Sequence, residues 1–218
     1  MSILGNNLLA QYYAQNQGLP FGYEAVEYLE STGTQYIDTN YAFQDDFTWE
    51  IDFEGMPSNT TLFGGRTVNI RTAVLFRQVG TRNLYINIAQ YNANTTPFYF
   101  SVFDFRRHKI KAHTIQNVMS SWLDGILVHD NISFTGNYIS GVTQTIFADN
   151  IENTVSEFTS SKVFAMTMWQ GGNTVRNFIP CIRKSESKPG LYDLCRSICP
   201  LTGTPFYINA GTGEFVTP

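Results

Sequence analysis

From Phe47 to Glu54 apolar and polar side chains change places at every residue. FTWEIDFE sets Phe47, Trp49, Ile51 and Phe53 on one side and Thr48, Glu50, Asp52 and Glu54 on the other. A period of two is the mark of a strand with one face buried and one face wet. The same alternation runs through AVLFRQV (73–79), NLYINIAQY (83–91), PFYFSVFDF (97–105), RHKIKAHTI (107–115), VMSSWLDGILVHD (118–130) and VFAMTMW (163–169). Asp124-Gly125 lies between two such runs and predicts a two-residue hairpin turn. Gly64-Gly65, Gly80 and Gly171-Gly172 predict further turns. No stretch after residue 22 repeats with a helical period, and neither an internal repeat nor a second domain boundary is visible. Many short strands with regular turns predict an all-β sandwich or barrel.

The first 22 residues differ. MSILGNNLLAQYYAQNQGLPFG holds no charged side chain, and Ile3, Leu4, Leu8, Leu9, Tyr12 and Tyr13 recur at near-helical spacing. Gly18, Pro20 and Gly22 then break the pattern as a linker would. A lone helix of about 12–15 residues is marginal in water. Residues 1–22 are therefore expected to dock on a larger assembly, with packing back on their own domain as the alternative. Residues 23–218 form the expected single domain.

Composition narrows the function classes. Aromatic residues make up 15% of the chain and charged residues 15%, a balance that suits pleated, half-buried surfaces. The net charge of −4 leaves no basic field to collect phosphates, so nucleic acid is not an expected partner. The short basic cluster Arg106, Arg107, Lys109 and Lys111 is expected on a solvated strand edge. No run is long enough to span a membrane as a helix, and the N-terminus lacks the basic, apolar and small-residue pattern of a signal peptide. The sequons at Asn59, Asn94 and Asn131 therefore carry little weight. Three cysteines, Cys181, Cys195 and Cys199, do not make a disulfide framework. The spacing of Cys195 and Cys199 permits a bridge. None of His108, His113 and His129 is near them in sequence, so zinc is not expected.

Two longer stretches go beyond pattern. AVEYLESTGTQYIDTNY (25–41) opens the domain, and FIPCIRKSESKPGLYDL (178–194) with FYINAGTGEF (206–215) closes it. Together they resemble the concanavalin A-like, laminin G-like jelly-roll domains of gut bacteriophage virion proteins and of surface proteins of their Bacteroides-type hosts. SWLDGILV (121–128) resembles the Asp-Gly hairpin of the same domains. The resemblance covers about residues 25–215 and implies an antiparallel jelly-roll β-sandwich. The chain departs from the pattern in CRSICPLTGTP (195–205), which is longer than the usual turn, and in Glu186, where the family carries Asp. Glycines 190, 211 and 213 suit tight turns with positive φ. Arg183, Lys184 and Asp193 are expected to form a structural polar network under a loop. Domains of this kind sometimes hold calcium, but no ligands for it stand out here, and no other cofactor is expected.

The row Glu50, Asp52, Glu54 also resembles the E-x-D-x-E strand of laminarinase-type glycosidases. That likeness implies Glu50 as nucleophile, Glu54 as acid/base and Asp52 as tuner in retaining hydrolysis. Against this, a strand rises about 3.3 Å per residue, which puts positions 50 and 54 roughly 13 Å apart. The row also comes directly after the opening motif, without preceding substrate-binding loops. A strand facing solvent or a subunit boundary is the expected reading, and Lys or Arg opposite the acids would mark a structural ladder. There is no G-x-S-x-G, no H-E-x-x-H and no phosphate-cradling loop.

The expected function is a non-enzymatic virion protein, a head or tail decoration or fibre in a phage particle. It would dock on other virion proteins through residues 1–22 and assemble as a homo-oligomer. Binding of host or mucus glycans is compatible with that role. The alternative is a carbohydrate-binding lectin module without a structural role. Trp122, Trp169, Tyr91 and Tyr99 are the candidate sugar platforms, although aromatics in a sandwich usually bury and the core is the expected place of each.

Overall fold

The structure, a computed structural model, describes residues 18–77, 84–90, 98–100 and 105–218. The expected anchor residues Ile3, Leu4, Leu8, Leu9, Tyr12 and Tyr13 lie outside the described residues, as does Tyr91. In chain order the strands are β1 (Tyr23–Ala25), β2 (Leu29–Glu30), β3 (Ile37–Asp38), β4 (Phe47–Glu54), β5 (Thr60–Arg66) and β6 (Ile70–Arg77). Then come β7 (Leu84–Gln90), β8 (Phe98–Phe100), β9 (Arg107–Ile115), β10 (Val118–Leu123), β11 (Ile126–Ser133) and β12 (Thr145–Ile146). The last are β13 (Asp149–Ile151), β14 (Thr154–Ser156), β15 (Lys162–Gln170), β16 (Asn173–Arg183), β17 (Lys188–Asp193) and β18 (Phe206–Tyr207). Among the described residues there is no helix.

The strands form two sheets. The larger, of ten strands, runs β11-β10-β9-β4-β15-β16-β17-β18, with β1 joined to β16 and β2 to β15. The smaller, of eight, runs β14-β13-β5-β6-β7-β8, with β12 pairing β3 and β5. The two inner faces meet in one core. Trp49, Ile51, Phe53, Ile110, Met168 and Phe178 come from the larger sheet, and Phe63, Leu75, Leu84, Ile86 and Ile88 from the smaller. Each such side chain contributes about 1.5–3 kcal/mol when fully buried. The chain is an all-β jelly-roll sandwich.

Several details differ from the sequence expectation. One pair is parallel: β13 runs alongside β5 at Asn150↔Gly65 and Ile151↔Arg66. The cause is local, since β12 lies antiparallel on β5 and the chain then reverses at Phe147, which has φ 72°. Gly64 and Gly65 are not a turn but the middle of β5. A Cβ on Gly65 would stand 2.6 Å from the Thr143 carbonyl, and one on Gly64 would stand 3.0 Å from Asp149 Oδ1. Their smallness makes room rather than curvature. Gly171 and Gly172 do form the β15–β16 turn, at φ 54° and 76°. Asp124 and Gly125 form the β10–β11 turn, at φ 51° and 81°. The basic cluster on β9 is not an edge either, because β9 is paired by β4 on one side and β10 on the other.

The opening and closing motifs clasp each other. Glu30 and Val216 exchange backbone hydrogen bonds of 2.8 and 2.9 Å. Thr34 Oγ1 donates to the Thr212 carbonyl at 2.9 Å, and the Tyr36 amide donates to Asn209 Oδ1 at 3.0 Å. Of the three closing glycines only Gly213 has positive φ, at 75°. Gly190 and Gly211 are needed for close approach, since a Cβ would collide with the carbonyls of Tyr207 and Thr34 respectively. Asp193 is fully buried, but not among Arg183 and Lys184. It accepts from the amides of Asn177 and Cys195 at 2.9 and 3.0 Å and faces Arg176 at 3.8 Å. Arg183 turns instead to Glu186 at 2.8 Å, and Lys184 to Glu24 at 3.8 Å. All three cysteines are free thiols. Cys199 is buried in the main core and Cys195 is exposed, so the bridge permitted by their spacing does not form.

Candidate functional site

Glu50, Asp52 and Glu54 do share one face, the outer face of the larger sheet. Each meets a cation there. Arg107 donates to both oxygens of Asp52, at 2.8 and 2.9 Å. Lys162 Nζ lies 3.0 Å from Glu54, and Lys109 Nζ lies 3.5 Å from Glu50. The Asp52 hydrogen bond raises the Arg107 pKa above its ordinary value. β9 and β15 flank β4 and bring basic residues alongside its acids, but only Lys162 stands directly across from its partner, Glu54; Arg107 and Lys109 on β9 each reach diagonally to the next acid, Asp52 and Glu50. This is the cross-strand ladder that the sequence criterion named.

Two of the candidate aromatics lie on the same face. Trp49 is core, fully buried, whereas Trp122 and Trp169 are half-buried on the outside. Trp122 on β10 stands opposite Lys111 on β9, and Trp169 on β15 stands opposite Thr48 on β4. The Lys111 ammonium sits 5.5 Å from the Trp122 ring and 5.8 Å from the Trp169 ring. Thr48 Oγ1 and His113 Nδ1 share a hydrogen bond of 2.9 Å beside them.

Tyr99 lies on the outer face of the smaller sheet instead, 45% exposed. Its ring meets that of Tyr85 edge to face at 5.7 Å. Tyr85 is the wall of a polar cleft of about 70 Å³ lined by Arg66, Arg71, Val74, Tyr85, Asn87, Asp149 and Glu157. The sheet is irregular there: the register shifts in β5 between Phe63 and Arg66, and in β6 between Arg71 and Val74. Bulges of this kind re-aim side chains. Arg66 Nε donates to Asp149 Oδ2, and Arg66 also reaches Glu157 Oε1 at 3.3 Å. Thr61 Oγ1 fixes the other Glu157 oxygen at 2.9 Å. Asp149 is fully buried and its Oδ1 has no hydrogen-bond partner. Burial pushes its pKa up, against the pull of Arg66. Burial also drives Tyr85 up to about 12, so its hydroxyl keeps its proton at neutral pH.

The cleft is where sequence reasoning was blind. Its residues come from β5, β6, β7, β13 and the loop after β14, with no spacing that ties them together. The faint signal was Asn87 inside the apolar run YINIA and Asp149 directly after IFA. A larger recess of about 540 Å³ opens beside the β16–β17 turn, between Ile182, Lys188, Glu214 and Thr217. None of its lining residues holds a buried polar atom without a partner. We take the smaller cleft as the better-built site for that reason. Among the described residues no three His, Cys, Asp or Glu side chains gather as a metal site, and no helix is long and apolar enough to cross a membrane.

No protein-family model matches the chain, and no curated protein sequence matches it. Solved structures do. The CBM40 of a Ruminococcus gnavus sialidase, bound to α2,3-sialyllactose, superposes with a TM-score of 0.50 at 12% identity, over 66% of this chain and 89% of that one. A heptameric SAP-like pentraxin from Limulus polyphemus gives 0.42 at 11%, over 72% and 74%. Alginate lyase A1-II′ of polysaccharide lyase family 7 gives 0.40 at 11%, over 60% and 64%. At such identities the likeness is one of fold alone, and the CBM40 superposition agrees with a jelly-roll sandwich.

Proposed function

We propose that the chain is a non-enzymatic carbohydrate-binding module whose sugar site is the polar cleft on the outer face of the smaller sheet. The observation that carries this reading is the unpaired Oδ1 of buried Asp149 in a cleft of hydrogen-bonding side chains. A buried acceptor without a donor costs about 1–3 kcal/mol, and a sugar hydroxyl supplies the donor. A cleft of this size accepts the edge of one sugar ring, with the exposed Tyr99 ring beside it as the apolar platform. The jelly-roll fold shared with a carbohydrate-binding module supports the class. The acids of β4 are occupied by their cations, which favours a binding role over hydrolysis.

The test is a glycan array followed by calorimetry on the best ligand. A neutral glycan class is expected to bind, to be recovered uncleaved, and to bind about tenfold more weakly, near 1.4 kcal/mol, to Tyr99→Ala and to Asn87→Ala. A blank array, or variants that bind as the parent does, would overturn the assignment.

The resemblance carried by the clasped opening and closing motifs favours a second, compatible reading. In it the module is a phage virion component, a homo-oligomeric decoration or fibre, and residues 1–22 dock it on other virion proteins. A chain beginning at residue 18 should then fold and fail to join particles; full incorporation of the truncated chain would sink this reading.

A further inference from the structure

The outer face of the larger sheet holds one cation that the ladder leaves over. Arg107, Lys109 and Lys162 each have a carboxylate. Glu50 stands directly across from Lys111 in register, yet Lys109 takes it. Lys111 makes no ion pair among the described residues; its ammonium meets the two indole faces and nothing else. Cation–π contact within about 6 Å satisfies part of the charge but supplies no acceptor oxygen to the three N–H donors. The ammonium is thus held in place by two rings and left with donors free to the outside.

We propose that the Trp122–Lys111–Trp169 strip is a second binding surface, for a sugar that carries a carboxylate. The ammonium receives the carboxylate in a charge-assisted hydrogen bond. An indole stands on each side, and each offers an apolar face to the C–H surface of a sugar ring. His113 on β9 and Thr48 on β4 lie in register between the two tryptophan strands and offer imidazole and hydroxyl partners, while Glu50, also between them, is turned to Lys109. Charge decides the class: the cleft on the opposite sheet pairs Arg66 with Asp149 and Glu157 and suits hydroxyls, whereas the Lys111 ammonium on this strip has no ion pair among the described residues. The inference stands apart from the cleft, which contains no tryptophan.

Tryptophan emission tests it on the full chain. Trp49 is fully buried, so a ligand that changes the emission is reporting from Trp122 or Trp169. Trigalacturonate is titrated beside its carboxyl-reduced galactose form, and sialyllactose beside lactose. At least one acidic sugar is expected to saturate the signal, about tenfold tighter than its neutral partner, and to weaken as salt rises. Which acid saturates tells a uronate from a sialic acid. Lys111→Gln should bring acidic and neutral sugars level, while Lys162→Gln, which frees only the more distant Glu54, should not. Equal binding of acidic and neutral sugars, silence towards both acids, or full acidic binding by Lys111→Gln would each overturn the proposal. The acid-against-neutral comparison is made on the unaltered chain and depends on no variant folding.

Discussion

Gly190 shows how much one hydrogen atom can decide. It lies in mid-strand, and a Cβ there would drive into the Tyr207 carbonyl and stand 2.8 Å from the Phe206 ring. Backbone and a buried ring cannot both yield, so Gly190→Ala is expected to cost about 3 kcal/mol, the upper end for overpacking. Gly172→Ala meets open space and has only its φ of 76° against it, so it should cost about 1 kcal/mol. Urea melts of the two variants check the order; equal losses would mean that β18 is loosely held. The sequence shows that glycine matters at these positions but not why, because a turn and a close approach use the same letter. The aromatics carry the same ambiguity. Trp49, Trp122 and Trp169 all sit in alternating runs, and only the parity of each strand against the core separates the first from the other two.

Long strands were legible and short ones were not. The run RHKIKAHTI became β9 with the same ends, and FTWEIDFE became β4. The strands β2, β3, β12 and β18 have two residues each, too few for any period to register. Edge strands add a second difficulty: β11 reads as alternating, yet most of it is exposed, with Ile126 at 71%. Its inward hold is His129, bonded to Ser121 at 2.7 Å and packed edge to face on Phe100 at 5.5 Å. Burial lowers the His129 pKa below its ordinary 6.5. The unfolded chain therefore takes up a proton more readily than the folded one. The contribution to stability is whole above pH 6.5 and is lost as pH falls through the folded value. Melting followed from pH 8 to pH 5 should decline below 6.5, and His129→Gln should flatten that decline. An unchanged slope in the variant would assign it to other groups.

At the scale of the whole molecule, the sandwich could be read from strand number and the closing motifs, but the order of strands within each sheet could not. The pairing of β4 with both β9 and β15 joins segments that are far apart in sequence. The cleft inherits that problem, since Arg66, Asn87 and Asp149 meet only after β5, β7 and β13 are laid side by side. Truncation to residue 18 belongs at this scale too. Leu19 and Tyr23 pack on the small cluster of Cys181, Tyr192 and Phe206, and Tyr23 pairs with Arg183. These contacts all survive the cut, so the shortened chain should still fold and melt cooperatively even where it no longer docks.

The corner at the β16–β17 turn has a consequence for how the domain can be mounted. Gly22 accepts from the Lys184 amide at 2.9 Å, and Glu214 reaches Lys188 at 4.0 Å. The first and last described segments therefore leave from one end of the sandwich. A domain hung from that corner, by either end of the chain or strung between neighbours through both, keeps two sides turned outward. If both proposed sugar sites bind, such a mounting would let the domain hold one polymer on each side, as a crosslinker does.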